Sequence, residues 1–591
     1  MEILHLIASI PFLLGLLSIF IPLKWAKYGS ILGGLSGVSL MFGGIRTFPN
    51  YSLELGGVQS LFSGGMLSVG LVILTGFFGI LVALYSVGHY DEHTGFFWAL
   101  FCWVLGATSL VFTAGNSILF MVGWGITGLI LSLMVWQPGN EDTWKKTFII
   151  LGGSDALLLM GLAGLITVAG TRELSGLNIG LTGPLNWVIF ISLLAAAFTK
   201  AGAFPFHTWI PDTAKDAPVP VVALLPASLD KLLGIYLLKK ICVDWFIVRG
   251  NASTLLMAVG AFTVLAGVFM ALAQHNLKRL LGYHAVSQVG YMVLGIGTGT
   301  LIGIAGGLLH MLNNALYKQA LFLGAGVIEK ETGTAKLENL GGLYKNFPIT
   351  FMSFTICAIA ISGIPPLNGF ISKWLVYQSL IEKMTEGSIW VLWLTAAVFG
   401  SVLTLASFVK IVHAAFLGQP AKGRRSHSEN ISWEVPALVV LPLICLGIGI
   451  FPEYLVYPFL NIIVGDFVVS GLWVPRLAAL FFFLGIVVGL LFYALFKVSD
   501  YRRTKPYIGG EKIKPEMRVS GVEFYTTIEN LGIFKKIYAW SRKGYFDIYE
   551  QLKEFTFYWI KFLKWMHGGV LTNYILWVIA GTAVLMFAYL R

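Results

Sequence analysis

Apolar runs of about twenty residues recur along nearly the whole chain, and this recurrence constrains the fold more than any motif. A run of that length crosses the hydrocarbon core of a bilayer as an α-helix, which satisfies its own backbone hydrogen bonds; strands of a membrane barrel are about half as long. About sixteen such runs can be placed in the 591 residues, from 3–22 and 29–46 at the start to 474–497 and 570–590 at the end. Only 12% of residues are charged and 57% are hydrophobic, whereas a soluble domain carries about 25% charged residues. The expectation is therefore an all-α polytopic membrane protein with about 16 transmembrane helices. Leu4–Pro22 has no basic segment before it and no clear cleavage site, so it reads as a first membrane helix.

The net charge is +11. In such a chain a basic excess belongs to cytoplasmic loops and carries no implication of nucleic acid. Lys24, Lys27, Lys145, Lys146, Lys278, Arg279, Lys336, Lys345, Lys422, Arg424 and Arg425 fall in loops on one side, and fewer basic residues fall on the other. That bias predicts an N-terminus outside the cell. The four cysteines are far apart, with no disulfide or metal spacing.

A few ionisable residues stand inside the apolar runs. The run Trp187–Phe198 leads to Lys200, then Gly202 and Pro205, inside the segment KAGAFPFHTW. A lysine at membrane depth costs at least ~2.5 kcal/mol unless it faces protein or water. Glycine and proline beside it predict a break in the helix, tolerated only against a protein cavity. The plainer alternative is a lysine snorkelling from a helix end. Asp155, Asp230, Lys231, His310, Lys318 and Lys373 are further charges at depth, with Lys410 a candidate beside them, and His207 falls at the mouth of the predicted break. His310, Asn314 and Lys318 lie on one helix face at i, i+4 and i+8. Such groups can relay protons by alternating charge states, or form a structural network between helices. Asp230 and Lys231 are adjacent and cannot share a face, so at least one is expected to reach a neighbouring helix. His284 reads equally as a helix-start residue or a relay. His89, Asp91, Glu92 and His93 form a loop cluster with weak metal-binding character.

The Lys200 pattern has an echo in SGIPPLNGFISKW, where glycine and proline accompany Lys373. The two segments occupy matching places in two five-helix units, 95–245 and 254–416. An offset of five helices makes these units inverted, and interrupted helices at matching places of inverted halves point to a transport site. Residues 1–94 and 434–497 supply additional membrane helices. Residues 498–569 form a polar linker followed by an aromatic, lysine-rich stretch, Phe524–Met566, expected to be one lateral amphipathic helix, with a stripe of Phe546, Tyr549, Leu552, Phe555, Phe557, Ile560 and Leu563. Residues 570–591 close the chain with a membrane helix.

KAGAFPFHTWIPDTAKDAPVPVVALL, LKRLLGYHAVSQVGYM, HMLNNALYKQALFLGAGVI and GIPPLNGFISKW together resemble the antiporter-like membrane subunits of respiratory complex I, membrane-bound hydrogenases and Mrp cation/proton antiporters. The resemblance covers about residues 60–455. YIGGE and the C-terminal region resemble the large subunits of hydrogenase-type complexes. The resemblance implies charge-switching lysines at Lys200 and Lys373, a histidine and lysine of the eleventh helix at His310 and Lys318, and a sixth-helix acid at Asp155. It also marks departures. Gly125 follows Trp124 where the family has a glutamate, Asn314 replaces a second histidine, Pro226 replaces another, and Lys231 is offset by one position.

The resulting expectation is an ion-translocating subunit, moving H⁺ or exchanging H⁺ for Na⁺, in a complex-I-related redox complex such as a hydrogenase or sulfur reductase of a prokaryotic plasma membrane. Its partners would be other membrane subunits, contacted through the lateral helix, and lipid. No cofactor is expected in this chain, which has no P-loop, paired CxxC, haem or flavin motif. The alternatives are a component of a stand-alone Mrp-type antiporter and a structural subunit that has lost transport, for which Gly125 is the main support. With Gly125 in place, Asp155 or Asp230 is expected to serve Lys200 as its acid.

Overall fold

The computed structural model describes residues 2–22, 25, 28–47, 65–89, 94–136, 139–419, 428–429, 431–469, 471, 474–495 and 521–589. The loop cluster at Asp91–His93, the linker 498–520 and several loop lysines lie outside the described residues. The chain forms two compact units, residues 1–526 and 527–591.

Among the described residues the regular structure of the first unit is helical, apart from a two-residue parallel pairing of Ile179–Gly180 with Phe246–Ile247 and two isolated bridges, Asn116 with Glu173 and Asn276 with Lys336. Its helices are α1 (Glu2–Ile19), α2 (Gly29–Thr47), α3 (Met66–His89), α4 (Gly95–Thr113), α5 (Ser117–Val135), α6 (Glu141–Ala169), α7 (Pro184–Ala201), α8 (Trp209–Asp216), α9 (Val219–Leu224), α10 (Asp230–Lys239), α11 (Asn251–Leu272), α12 (Leu277–Gly297), α13 (Leu301–Thr332), α14 (Pro348–Ser362), α15 (Asn368–Glu382), α16 (Trp390–Val412), α17 (Val435–Ile450), α18 (Pro452–Leu455), α19 (Tyr457–Val464) and α20 (Pro475–Leu495). Ten spans in the described residues, counted over both units, are long and apolar enough to cross a membrane. The fold is that of an all-α polytopic membrane protein.

Local sequence sets the helix limits. Asn116, Asn276 and Thr300 each accept a backbone N–H from three residues on, capping α5, α12 and α13. The 32-residue α13 is buried along almost its whole length and is the spine of the core. The run expected as one helix over 186–209 ends at Ala201, because Gly202 adopts φ +85°. That left-handed conformation suits glycine and ends a helix. The run expected over 349–376 is likewise split: Gly363 at φ +80° closes α14, and α15 starts five residues later. Between α9 and α10 the backbone widens into a π-helical turn, Leu225–Leu229, at Pro226, which has no N–H to donate. This turn delivers Asp230 and Lys231 into the core.

The second unit holds α21 (Thr526–Asn530), α22 (Gly532–Arg542), α23 (Ile548–Met566) and α24 (Leu571–Tyr589). The single lateral helix expected over Phe524–Met566 is interrupted, because Gly544 takes φ +80° between α22 and α23. The apolar face of α23, at 100° per residue, is Ile548, Leu552, Phe555, Trp559, Phe562, Leu563 and Met566. Phe557 falls instead on the side of Glu550, Lys561 and Lys564.

Candidate ion pathway

The broken end of α7 carries the first cluster. The last turn of a helix leaves carbonyls without intrahelical partners. Here Phe198 O accepts the N–H groups of Gly202 and Ala203, Thr199 O accepts the Trp209 indole at 3.0 Å, and Ala201 O accepts the Lys231 ammonium. The helix end is therefore closed by a lysine from α10. Gly234, one turn beyond Asp230, allows this approach, since a Cβ there would stand 2.4 Å from Ala201 N.

Lys200 is fully buried in that last turn. Its Nζ lies 3.6 Å from Asp230 Oδ1, which is also fully buried, and 5.7 Å from the Trp124 ring centroid on α5. Neither charged group makes a hydrogen bond. Adjacent Asp230 and Lys231 thus both reach α7, one toward the side chain of Lys200 and the other toward the carbonyl of Ala201, its last residue. Asp155 of α6 completes the cluster. Its Oδ2 stands 3.1 Å, and Lys200 Nζ 3.6 Å, from the point a Cβ on Gly128 would occupy. Both aspartates thus stand beside Lys200, with Asp230 in direct ion-pair contact. Gly152 and Gly153 face open space, so neither makes a close helix contact beside Asp155, whereas the missing side chain of Gly128 leaves room for its carboxylate.

Lys318 of α13 forms the middle of the row. It is fully buried and donates to Leu281 O at 2.7 Å, with its ammonium between the rings of Phe322 and Phe408. Lys231 lies within electrostatic reach of it. Asn314, one turn earlier on the same face, is buried with neither amide atom hydrogen-bonded.

The second broken helix carries the far cluster. Ile359 O and Ala360 O are taken by backbone N–H groups. Ile361 O and Ser362 O accept Lys373 Nζ at 2.9 and 3.4 Å. The same ammonium lies 4.7 Å from the Tyr291 ring centroid. His310 joins α13 to both neighbours: its Nδ1 is 2.8 Å from Ser372 Oγ and its Nε2 is 3.1 Å from Gln288 Oε1. Asn313 and Asn368 bond reciprocally, Asn368 donating at 2.9 Å to the Asn313 side chain while Asn313 donates to Asn368 O at 2.8 Å.

The two breaks differ in the partners of their lysines. Lys200 precedes its break by two residues and faces a carboxylate. Lys373 follows its break by ten residues and caps the preceding half-helix, as Lys231 does at the first break. By contact, Lys373 therefore matches Lys231. His207 is buried in the turn between α7 and α8, stacked on Phe204 at 5.4 Å between ring centroids. Gln288, Tyr291, Asn313, Asn368 and Ser372 were not singled out from sequence. The only signal for them was their i, i+3 and i, i+4 spacing within apolar helices.

Outside the row, Asp212 of α8 accepts from Lys146 of α6 at 2.7 Å and from Arg279 of α12 at 3.1 Å, and Lys278 pairs with Glu329 at 2.8 Å. These pairs tie the starts of α6 and α12, α8 and the end of α13 together on one side of the bundle.

The profile of the family described as NADH:quinone oxidoreductase/Mrp antiporter, TM, matches residues 114–404. A protein of Rhizobium meliloti (strain 1021), named as part of a probable K⁺/H⁺ antiporter, is 29% identical over 423 residues, 70% of this chain but only 41% of that protein's length. Hydrogenase-4 component B of Escherichia coli (strain K12) is 31% identical over 509 residues, 78% of this chain and 73% of that protein. A chain of the membrane-bound sulfane sulfur reductase, an archaeal respiratory membrane complex, superposes with a TM-score of 0.81 at 20% identity, covering 98% of this chain and 99% of that one.

Proposed function

The chain belongs to the NADH:quinone oxidoreductase/Mrp antiporter family of membrane subunits, and from that premise we propose that it carries protons, or exchanges protons for Na⁺, within a complex-I-related respiratory redox complex of a prokaryotic plasma membrane. The hydrogenase-type or sulfur-reductase type of complex is favoured, because the likeness to the sulfane sulfur reductase chain extends over 98% of this chain, the C-terminal helices included. The observation that carries the transport reading is the row of buried charges. Lys200, Lys231, Lys318 and Lys373 are each at most 1% exposed. Among them only Lys200 faces a carboxylate in an ion pair; the others are held by backbone carbonyls.

That difference suits relay chemistry. A buried lysine locked to a carboxylate resists giving up its proton, and removing either partner strands a charge. Helix-end carbonyls carry only part of a negative charge, about half a unit per helix end. They stabilise an ammonium, and the neutral amine can still donate a hydrogen bond to them. Lys231 and Lys373 can therefore change charge without leaving their carbonyls unsatisfied. In this reading Asp155, Lys200 and Asp230 form the first half-path, Lys231 and Lys318 the link, and His310 and Lys373 the second half. The two five-helix units run α4–α10 and α11–α16, with the fourth span of each broken. His207 would lie at the mouth of the first break, and α23 would brace neighbouring subunits.

The test uses the purified complex in proteoliposomes. Lys373→Ala should abolish ion movement while electron transfer to an artificial acceptor continues. Ion movement at the wild-type rate in that variant would reject the reading. A role in a stand-alone antiporter, supported by the likeness to the K⁺/H⁺ antiporter protein, predicts cation-driven proton exchange in membranes with no co-purifying redox activity.

A further inference from the structure

His284 and Lys410 are buried, and the row above uses neither. His284 stands on α12 three residues beyond Leu281, whose carbonyl holds Lys318. Its Nε2 is 2.7 Å from Ser407 Oγ on α16, and its Nδ1 is buried without a hydrogen bond. Its ring packs on Phe408 with 4.8 Å between centroids, and Lys318 Nζ lies 5.8 Å from the centroid of that same ring. Lys318 and His284 thus gather around one phenyl ring, with Ser407 hydrogen-bonded to the histidine. Three residues on from Ser407, on the same face of α16, comes Lys410. Its Nζ donates to Leu272 O at 2.7 Å and Gln274 O at 3.2 Å, closing the end of α11. The next residue, His275, is exposed in the α11–α12 turn, beside the side of the bundle that carries Lys278 and Arg279.

We propose that His284, Ser407 and Lys410 form a lateral proton branch that joins Lys318 to the α11–α12 turn, so that the second half of the path exchanges protons with that side without passing Lys200. The proposal rests on the ion-translocating reading given above. An imidazole takes up a proton on one ring nitrogen while releasing one from the other. A serine hydroxyl accepts one hydrogen and donates its own. Lys410 takes the proton on its amine and returns it at the turn. One proton moves; the imidazole is left as its other tautomer and the serine hydroxyl reversed, and a ring flip and a hydroxyl rotation restore both for the next proton.

The competing role is a structural strut, in which His284 and Ser407 tie α12 to α16 and Lys410 caps α11. Two conservative variants separate the roles. His284→Gln keeps an interhelical hydrogen bond but cannot carry a proton. Lys410→Arg keeps a charged cap but does not deprotonate. Translocation is read per assembled complex in proteoliposomes with a pH-sensitive dye, beside electron transfer to an artificial acceptor. Both variants, and Ser407→Ala, should lose at least about tenfold in proton translocation, with electron transfer unchanged and Ser407→Thr active. If His284→Gln and Lys410→Arg pump within about twofold of wild type while Lys373→Ala is inactive, the branch is wrong and the main path stands. If Lys373→Ala also pumps at the wild-type rate, the ion-translocating reading falls and the branch falls with it. Should His284→Gln fail to assemble, Lys410→Arg against Lys410→Met decides: activity in Arg alone marks a cap, and loss in both marks a relay.

Discussion

Lys200 Nζ and Asp230 Oδ1 face each other at 3.6 Å with both side chains shut off from solvent. Removing one member of a buried pair strands the other charge, which costs about 3–5 kcal/mol, whereas replacing both with apolar groups is often neutral. Asp230→Asn should therefore lower the thermal stability of the assembled complex and suppress ion translocation together. The double variant Lys200→Met with Asp230→Leu should recover much of the stability and none of the translocation. Differential scanning measurements beside proteoliposome assays check this. A double variant as unstable as the single one would show that the pair is not the source of the loss.

Gly128 and Gly125 stand one helical turn apart on α5, and their surroundings predict opposite outcomes. A Cβ on Gly125 meets nothing within 4 Å, so Gly125→Glu should assemble normally and keep at least half the wild-type translocation. A Cβ on Gly128 enters the space shared by Asp155 and Lys200, 3.1 Å from the carboxylate oxygen. Gly128→Ala should therefore assemble but translocate several-fold more slowly, with electron transfer to an artificial acceptor intact. Equal activity in Gly128→Ala would remove Asp155 from the path.

The charged centres were legible from sequence because burial of a charge in an apolar run is costly enough to stand out. Lys200, Asp230, Lys231, His310, Lys318 and Lys373 are all in the core, at most 1% exposed. Their partners were much less legible. That Lys231 closes α7 and Lys373 closes α14 depends on where Gly202 and Gly363 turn the backbone, and a carbonyl has no signature in a sequence. The breaks, and the order in which Lys200 precedes one and Lys373 follows the other, could be read from glycine and proline, but not that one lysine faces a carboxylate and the other a pair of carbonyls. The amphipathic tail failed for a related reason. Its aromatic content marked an amphipathic helix, but Gly544 at φ +80° separates α22 from α23, and the stripe's two-residue step from Phe555 to Phe557 leaves the helical period, so Phe557 falls on the charged side.

Asp212 joins α6, α8 and α12 through Lys146 at 2.7 Å and Arg279 at 3.1 Å, and is itself partly exposed. Partly exposed pairs contribute little individually, about 0–1 kcal/mol each. Here one carboxylate serves two cations, so Asp212→Asn weakens two pairings at once. The expected result is a small drop in thermal midpoint with translocation retained within about twofold, because the pairs lie outside the row of buried lysines. Loss of translocation with unchanged stability would instead place Asp212 on the ion path.

Lys373 offers the clearest separation of charge from packing. Its ammonium holds both Ile361 O and Ser362 O, so truncation leaves two buried carbonyls without donors, at about 1–3 kcal/mol each. Lys373→Met should therefore lose stability as well as translocation, and from that variant alone the two losses cannot be told apart. Lys373→Arg keeps donors for both carbonyls but holds its proton at every accessible pH. If Lys373 works by alternating its charge, Lys373→Arg should match the wild-type thermal midpoint and still fail to translocate. If Lys373 only seals the broken helix, Lys373→Arg should pump. Measuring both properties in the Arg and Met variants of the assembled complex distinguishes the two roles, and a pumping Lys373→Arg variant would move the charge-switching step away from the second break.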